Sequence, residues 1–202
     1  GAHHGESIKL FNKEFNIDSI VAFEPSLKNY NKLLKYNKKI NNLKTFNLAL
    51  GEEKNLVSFT DHFETQSSTI SEINEHSNYF KKKIFFLDPL NLKSKKIQNT
   101  KVKMDRLENI LKNLSINSVD ILKIDTEGYD FKVIRGLGNS IKLVKYIYFE
   151  HHFHDMLIKN YNLGDVNKYL NSYNFIKVFK SKMRFRKTFE YIYFNKSIKL
   201  EQ

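Results

Sequence analysis

The stretch VDILKIDTEGYDFKVIRG, from Val119 to Gly136, decides the fold of this chain. Its first part, Val119 to Asp125, is an apolar run that predicts a strand. The segment YDFKVIRG then predicts a short helix that ends at Gly136. A strand that leads directly into a helix is the unit from which parallel sheets are built. The stretch therefore predicts an α/β fold.

The same alternation continues on both sides of this stretch. The run Ser19 to Glu24 is typical of a strand buried on both faces, and a helix follows Pro25. The other predicted strands are Leu43 to Leu50, 55–60 and Val144 to Glu150, and a helix is predicted over 165–171. The last two strands, 174–179 and 189–195, are separated by a few residues, which favours an antiparallel hairpin. We therefore expect a Rossmann-like, mostly parallel sheet with helices on both faces and a C-terminal hairpin.

The first residues, GAHHGE, predict a glycine loop that leads into a helix. Gly1 and Gly5 allow a tight turn, and Ile8, Phe11 and Phe15 recur at helical spacing. Such a loop normally follows a strand, and here no strand precedes it. We therefore expect that the first strand is missing and that the chain is truncated at its N-terminus.

Composition limits the classes of function. The 202 residues predict one domain, with an irregular excursion over about 61–100 that shapes a substrate pocket. The absence of Cys excludes thiol nucleophiles and thiolate metal sites. The net charge is +12, but only four of the 34 basic residues are arginines, which nucleic-acid recognition favours. We therefore expect no nucleic-acid partner, and no apolar run is long enough to span a membrane. The compartment expected is the cytoplasm.

Acidic residues end the apolar strands. Glu24, Asp125 and Glu150 each stand at a strand end, and Glu127 follows two residues after Asp125. Because ligands of open α/β sheets bind at the carboxyl ends of the strands, we expect these carboxylates to converge. Glu24 lies 19 residues after Gly5, close to the offset at which an acid reaches a ribose. The glycines lack the pyrophosphate-binding pattern, which favours S-adenosylmethionine as the cofactor.

Several motifs resemble those of the FkbM-type S-adenosylmethionine-dependent methyltransferases. The motifs occur in the family's order from Gly1 to about Glu150: GAHHGE, VAFEPS, NLALGEE, VKMDRLENIL and VDILKIDTEGYDFKVIRG. The resemblance implies a Rossmann-like seven-stranded sheet and methyl transfer, usually to an oxygen of a small molecule or glycan.

The resemblance also implies roles for individual residues. Asp125 would lie near the methyl donor and the acceptor, with Glu127 close by. The residues expected to bind the cofactor are Gly1, His3 and Gly5 around its methionine part, Glu24 at its ribose, Pro25 beside it, and Asn47 and Ala49 beside its adenine.

The segment EHHFHDM adds candidate residues for the acceptor. His151 is a candidate base, and Glu150 and His152 are candidate substrate contacts. Imidazoles and carboxylates here could hold a divalent ion that acidifies a hydroxyl, but no metal is predicted.

Two other functions remain open on the sequence alone. One is a nucleic-acid methyltransferase that uses the basic surface, although the motif of adenine N6 enzymes is absent after the VDILK strand. The other is a catalytically degenerate binding module. Salt-dependent RNA or DNA binding would favour the first, and cofactor binding without methyl transfer the second.

Overall fold

A computed structural model of the chain describes residues 1–61, 68–87, 98–184 and 187–199. The helices are α1 (Glu6–Glu14), α2 (Leu27–Tyr36), α3 (Asn78–Leu87), α4 (Leu107–Asn113), α5 (Asp130–Arg135) and α6 (Leu163–Ser172), with a 3₁₀ helix over Gly138–Leu143. The strands are β1 (Ile20–Phe23), β2 (Leu43–Phe46), β3 (Ala49–Gly51), β4 (Asn55–Asp61), β5 (Gln98–Arg106), β6 (Val119–Ile124), β7 (Val144–His152), β8 (Phe175–Lys182) and β9 (Thr188–Asn195). Of the predicted excursion over 61–100, the parts 62–67 and 88–97 lie outside the described residues.

The strands of the described residues form three hydrogen-bonded groups. β1 pairs with β2, β3 with β5 and β6 with β7, all in parallel. β4 pairs with β5, and β9 with β7 and β8, all antiparallel. The fold is therefore mixed α/β, and the predicted C-terminal hairpin is confirmed as β8 and β9.

The predicted strand from Leu43 to Leu50 is two strands in the structure. β2 stays beside β1, whereas β3 pairs with β5, Ala49 lying opposite Met104. Between them, the Asn47 side chain donates to the backbone oxygens of Glu24 and Pro25, at 2.9 and 3.0 Å. These bonds fix the segment between β2 and β3 at the end of β1. The chain leaves β1 there and pairs with β5, so β2 and β3 are separate strands.

The first residues lie between the carboxyl ends of β1 and β6. The Ala2 N–H donates to the backbone oxygen of Phe23 at 2.8 Å, and the Gly1 nitrogen donates to that of Asp125. Within the described ranges, β6 pairs with β7 only and β1 with β2 only. The glycine loop therefore stands where the ends of two separate strand groups meet.

Two apolar clusters hold this arrangement. A small cluster of Ile8, Ala22 and Leu33 packs α1 and α2 against β1. The large cluster includes Met104, Ile134, Ile147 and other fully buried side chains from the remaining elements. The glycine loop is thus attached to the first cluster, and β6 and β7 to the second.

The start of α6 follows from a capping box. The Asn162 side chain accepts the N–H groups of Gly164 and Asp165, at 2.6 and 3.2 Å. The Asp165 carboxylate accepts the Asn162 N–H at 2.8 Å. Because these bonds satisfy the free donors of the first turn, the helix begins at Leu163, slightly before the predicted start.

Gly136 allows α5 to pack directly on β3. A Cβ atom at this position would lie 2.0 Å from the backbone oxygen of Gly51. The Gly136 oxygen also accepts the N–H of Glu108 at 3.1 Å, which ties α4 to the same place. The glycine is thus needed for close approach of backbones at the centre of the large cluster.

We expect Gly136→Ala to destabilise the protein, because the methyl group must push α5 away from β3. Overpacking of this kind costs about 1–3 kcal/mol in the free energy of unfolding. Urea denaturation followed by circular dichroism measures the change. Lys168→Ala, on the exposed side of α6, is the control and should leave the midpoint nearly unchanged. Equal midpoints for the two variants would contradict the packing argument.

Candidate functional site

A cavity of about 380 Å³ opens at the carboxyl ends of the strands. Its volume falls in the range of small-molecule sites, about 300–1,000 Å³. Of the residues singled out from the sequence, eight line it: Gly1, His3, Glu24, Pro25, Ala49, Asp125, Glu127 and Glu150. The structure thus brings together the acidic strand ends whose convergence the sequence predicts.

Gly5 and Asn47, two of the predicted cofactor ligands, support the cavity without lining it. Gly5 has a φ of 90°, and a Cβ atom there would lie 2.4 Å from the Asn37 amide. That amide donates to the backbone oxygens of His4 and Leu33, at 2.9 and 2.7 Å. Gly5 therefore lets the loop pack on α2, whereas Asn47 holds the end of β1.

The two histidines at the end of β7 point to opposite faces of the sheet. The His151 ring packs edge-to-face on Phe153 and Tyr161, with centroids 4.8 and 6.0 Å apart, and does not line the cavity. The His152 ring lies on the Glu150 face, and its Nε2 is 3.7 Å from Glu127 Oε2. The histidine that reaches the cavity carboxylates is therefore His152, and the structure gives His151 no contact with them.

Glu24 is held from both sides by backbone donors. Its Oε2 accepts the His3 N–H at 2.8 Å, and its Oε1 accepts the Ser26 N–H at 3.0 Å. The residue is only 4 % exposed, and burial raises its pKa even though these bonds oppose the shift. The carboxylate is thus fixed between the glycine loop and the start of α2, facing the cavity.

The turn between β6 and α5 is built on the buried carboxylate of Asp130. It accepts the N–H groups of Thr126 and Gly128, at 3.1 and 3.2 Å. Glu127, between them, has a φ of 49°, a left-handed conformation that costs a non-glycine residue about 1 kcal/mol or more. The Thr69 hydroxyl donates to the Glu127 oxygen at 2.8 Å. These bonds hold Glu127 in the conformation that directs it into the cavity.

The carboxyl groups of the cavity differ in pKa. Burial would raise the pKa of Asp125, but the Lys123 ammonium, 3.4 Å away, and other positive groups lower it. Burial and the nearby Asp125 charge raise the pKa of Glu127 to about 8 and that of Glu150 to about 7. Burial lowers the pKa of His152 to about 3, so its ring is neutral. The site therefore combines an ionised acid with two acids that keep their protons near neutral pH.

The lining is acidic although the chain is basic. The described residues give it five carboxyl groups and neither lysine nor arginine: Glu6, Glu24, Asp125, Glu127 and Glu150. The Thr126 hydroxyl on the same wall is buried, and no described residue bonds to it. A cavity of this kind fits a ligand that carries hydroxyl groups and positive charge.

Sequence reasoning missed several lining residues, among them Phe59, Thr69, Tyr129 and Met183. Thr69 falls in the excursion expected to shape a pocket, and that general expectation agrees with its place beside Glu127. Met183 follows β8 and reaches the cavity only through the hairpin. Thr69 and Met183 are distant from the motif residues along the chain, so no local pattern marks them, whereas Tyr129 lies within the motif that ends at Gly136.

An α/β fold with a cavity at the carboxyl ends of its strands, beside a glycine loop, places the cavity where α/β proteins bind small ligands. The family model described as the methyltransferase FkbM domain matches residues 1–177. The chain therefore belongs to the FkbM methyltransferase family. No curated protein matches the chain.

A solved structure agrees with this fold. The crystal structure of methyltransferase FkbM from Methylobacillus flagellatus KT superposes with a TM-score of 0.61 at 14% identity, over 96% of this chain. The match covers 41% of that protein, so the chain spans less than half of its length. A second match is M. capricolum TrmK in complex with S-adenosyl-homocysteine, with a TM-score of 0.41 at 12% identity, over 95% of this chain and 69% of that one.

The raised pKa of Glu127 predicts a pH-dependent stability. Between about pH 4.5 and pH 8 the folded chain holds a proton on Glu127 that the unfolded chain releases. The free energy of unfolding should therefore fall, as pH rises through this window, by on the order of a few kcal/mol relative to Glu127→Gln. Urea denaturation at the two ends of the window measures it. Glu53→Gln, at an exposed carboxyl, is the control, and a constant difference between Glu127→Gln and the natural chain would refute the assignment.

Proposed function

We propose that the chain binds S-adenosylmethionine in this cavity and methylates a hydroxyl group of a small molecule or glycan. The observation that carries the proposal is the convergence of Glu24, Asp125, Glu127 and Glu150 on one cavity in a chain of the FkbM family. The acceptor lies on the side of Glu127 and Glu150, and the cofactor on the side of Glu24 and the glycine loop.

The residues present fit this cofactor. Glu24 accepts hydrogen bonds from a pair of ribose hydroxyls, because its carboxylate has lone pairs beyond those used by His3 and Ser26. The loop of Gly1 and His3 surrounds the methionine part, and Pro25 and Ala49 lie beside the adenine. Thr126 offers a hydroxyl that lacks a described partner. The acidic lining is also favourable for a cationic sulfonium.

Asp125 and Glu127 have different tasks in this proposal. When bound, S-adenosylmethionine supplies an electrophilic methyl group on a positively charged sulfur, which the acceptor oxygen displaces. Asp125, kept ionised, stabilises positive charge at the reacting centre and orients the acceptor. Glu127 takes the proton of the acceptor hydroxyl once it is itself deprotonated. Where two acids in one site have different pKa values, one commonly stays ionised and the other transfers a proton.

His152 supports Glu127 from behind. Its Nδ1 lies 3.0 Å from the Thr188 hydroxyl, which fixes the ring, and its Nε2 faces Glu127. The His152 Nε2 is buried and has no hydrogen-bond partner among the described residues. A neutral ring that carries its proton on Nε2 presents a donor to Glu127 and stabilises its ionised form, so we assign His152 and not His151 as the residue that supports Glu127.

The charge of the lining limits the acceptor. Phosphate groups would meet five carboxyl groups and neither lysine nor arginine among the described lining residues. This arrangement opposes anionic acceptors and with them a nucleic-acid strand, although the surface of the chain is basic. No described helix is long and apolar enough to cross a membrane.

Glu24→Gln should weaken cofactor binding. The change removes one acceptor and turns an amide N–H₂ toward a backbone donor, which we expect to cost about 1.5–3 kcal/mol, or about 10- to 100-fold in Kd. Isothermal titration calorimetry with S-adenosylhomocysteine measures it, with circular dichroism to verify folding. Glu53→Gln, an exposed change of the same chemistry, should bind as the natural chain does. If the folded natural chain does not bind, the cofactor assignment is wrong.

The activity should rise with pH. Since the proposed base Glu127 has a pKa of about 8, kcat/KM for the acceptor should increase up to about pH 8 and then level off. Glu127→Gln should lower kcat/KM about 10²- to 10⁴-fold and abolish this rise. Transfer of a labelled methyl group to a panel of sugars and polyols measures both. An unchanged pH profile in Glu127→Gln would assign the base to another group.

A further inference from the structure

The glycine loop carries a cluster of ligand-type side chains, His3, His4 and Glu6, to which the proposed methyl transfer assigns no chemical step. Glu6 Oε1 lies 3.0 Å from His3 Nδ1 and 3.7 Å from His4 Nδ1. One ligand atom from each of the three residues lies within 4.8 Å of the others. The two imidazole rings are stacked, with centroids 3.7 Å apart and an angle of 24° between their planes. Both therefore present Nδ1 to the same carboxylate oxygen.

These separations match those of a metal coordination shell. For ligand bonds of 2.0–2.2 Å, the edge of a tetrahedron is about 3.4 Å, and the observed separations of 3.0 and 3.7 Å lie on either side of it. Two imidazoles and one carboxylate are also a common donor set for Zn²⁺, with a fourth position left for water.

A partner outside the cluster selects the required form of His4. Asn29 Oδ1 lies 3.3 Å from His4 Nε2, and Asn29 is only 1 % exposed. An amide oxygen here accepts an Nε2–H, which leaves the lone pair of Nδ1 directed to Glu6. Ligating histidines are usually fixed through their second nitrogen in this way.

We propose that His3, His4 and Glu6 form a binding site for a transition-metal ion of the Zn²⁺ type at the entrance of the cavity. The proposal does not rest on methyl transfer, because the cluster is defined by its own side chains. His3 and Glu6 also line the cavity, so an ion held by them stands at its rim.

The charges around the site allow a cation. The N-terminus of α1 carries a partial positive charge, which disfavours a cation by about 0.3–1 kcal/mol. Glu6 offsets this with a full negative charge. Ionised carboxylate and neutral imidazole are the forms that ligate.

Calorimetric titration of Zn²⁺ into the metal-free chain at about pH 7.5 tests the site. We expect one ion per chain. His4→Gln should weaken binding at least about 10-fold, and Asn29→Ala, which removes only the supporting oxygen, about 10- to 100-fold.

Two control variants separate this site from the other histidines. His76→Gln changes an exposed histidine, and His152→Gln changes the cluster at the end of β7. Both should bind Zn²⁺ as the natural chain does. Co²⁺ in place of Zn²⁺ should show the visible absorption of a four-coordinate ion, and His4→Gln should abolish it while thermal melting verifies its fold. Absence of stoichiometric binding, or binding lost in His152→Gln and kept in His4→Gln, would overturn the proposal.

Discussion

The geometry of the cavity depends on one buried carboxylate, that of Asp130. By accepting the N–H groups of Thr126 and Gly128, it turns the chain sharply between β6 and α5. The turn holds Glu127 in a left-handed conformation, which costs about 1 kcal/mol or more. The surrounding hydrogen bonds offset this cost. Asp125, Thr126 and Glu127 therefore all face the cavity from one short segment. The Tyr161 hydroxyl, which donates to the Gly128 oxygen at 3.0 Å, fixes the turn from the outside.

Charge is distributed unevenly between the surface and the cavity. The net charge of +12 comes mainly from lysines, whereas the described lining carries only acidic ionisable side chains apart from His3 and Tyr129. Burial and mutual repulsion separate the acids of the cavity into ionised Asp125 and protonated Glu127 and Glu150. This difference in pKa among the acids suits the proposed reaction, which begins with a cationic donor and ends with a released proton. It is also the reason why net charge alone misleads about the ligand of this chain.

Much of the framework could be predicted from the sequence, because it rests on local patterns. Apolar runs marked most of the strands, with β5 left out and β2 and β3 taken as one, and the acids that follow β1, β6 and β7 marked the ligand edge of the sheet. Other features were not local. Leu43 to Leu50 reads as one strand in the sequence, and only pairing with β1 and then β5 divides it into β2 and β3. Thr69 and Met183 reach the cavity from segments without a motif, because folding alone brings them there.

The positions of the histidines in β7 depend both on the sequence pattern and on the tertiary packing. The period of a strand already requires Glu150 and His152 to share one face and His151 to lie on the other. Which face borders the cavity depends on the packing of Tyr161 and Phe153 around His151. The sequence by itself thus determined the α/β class, the acidic strand ends and the FkbM resemblance, because each depends on neighbours along the chain. Only the tertiary structure decided which side chains meet, because those contacts join segments far apart in sequence.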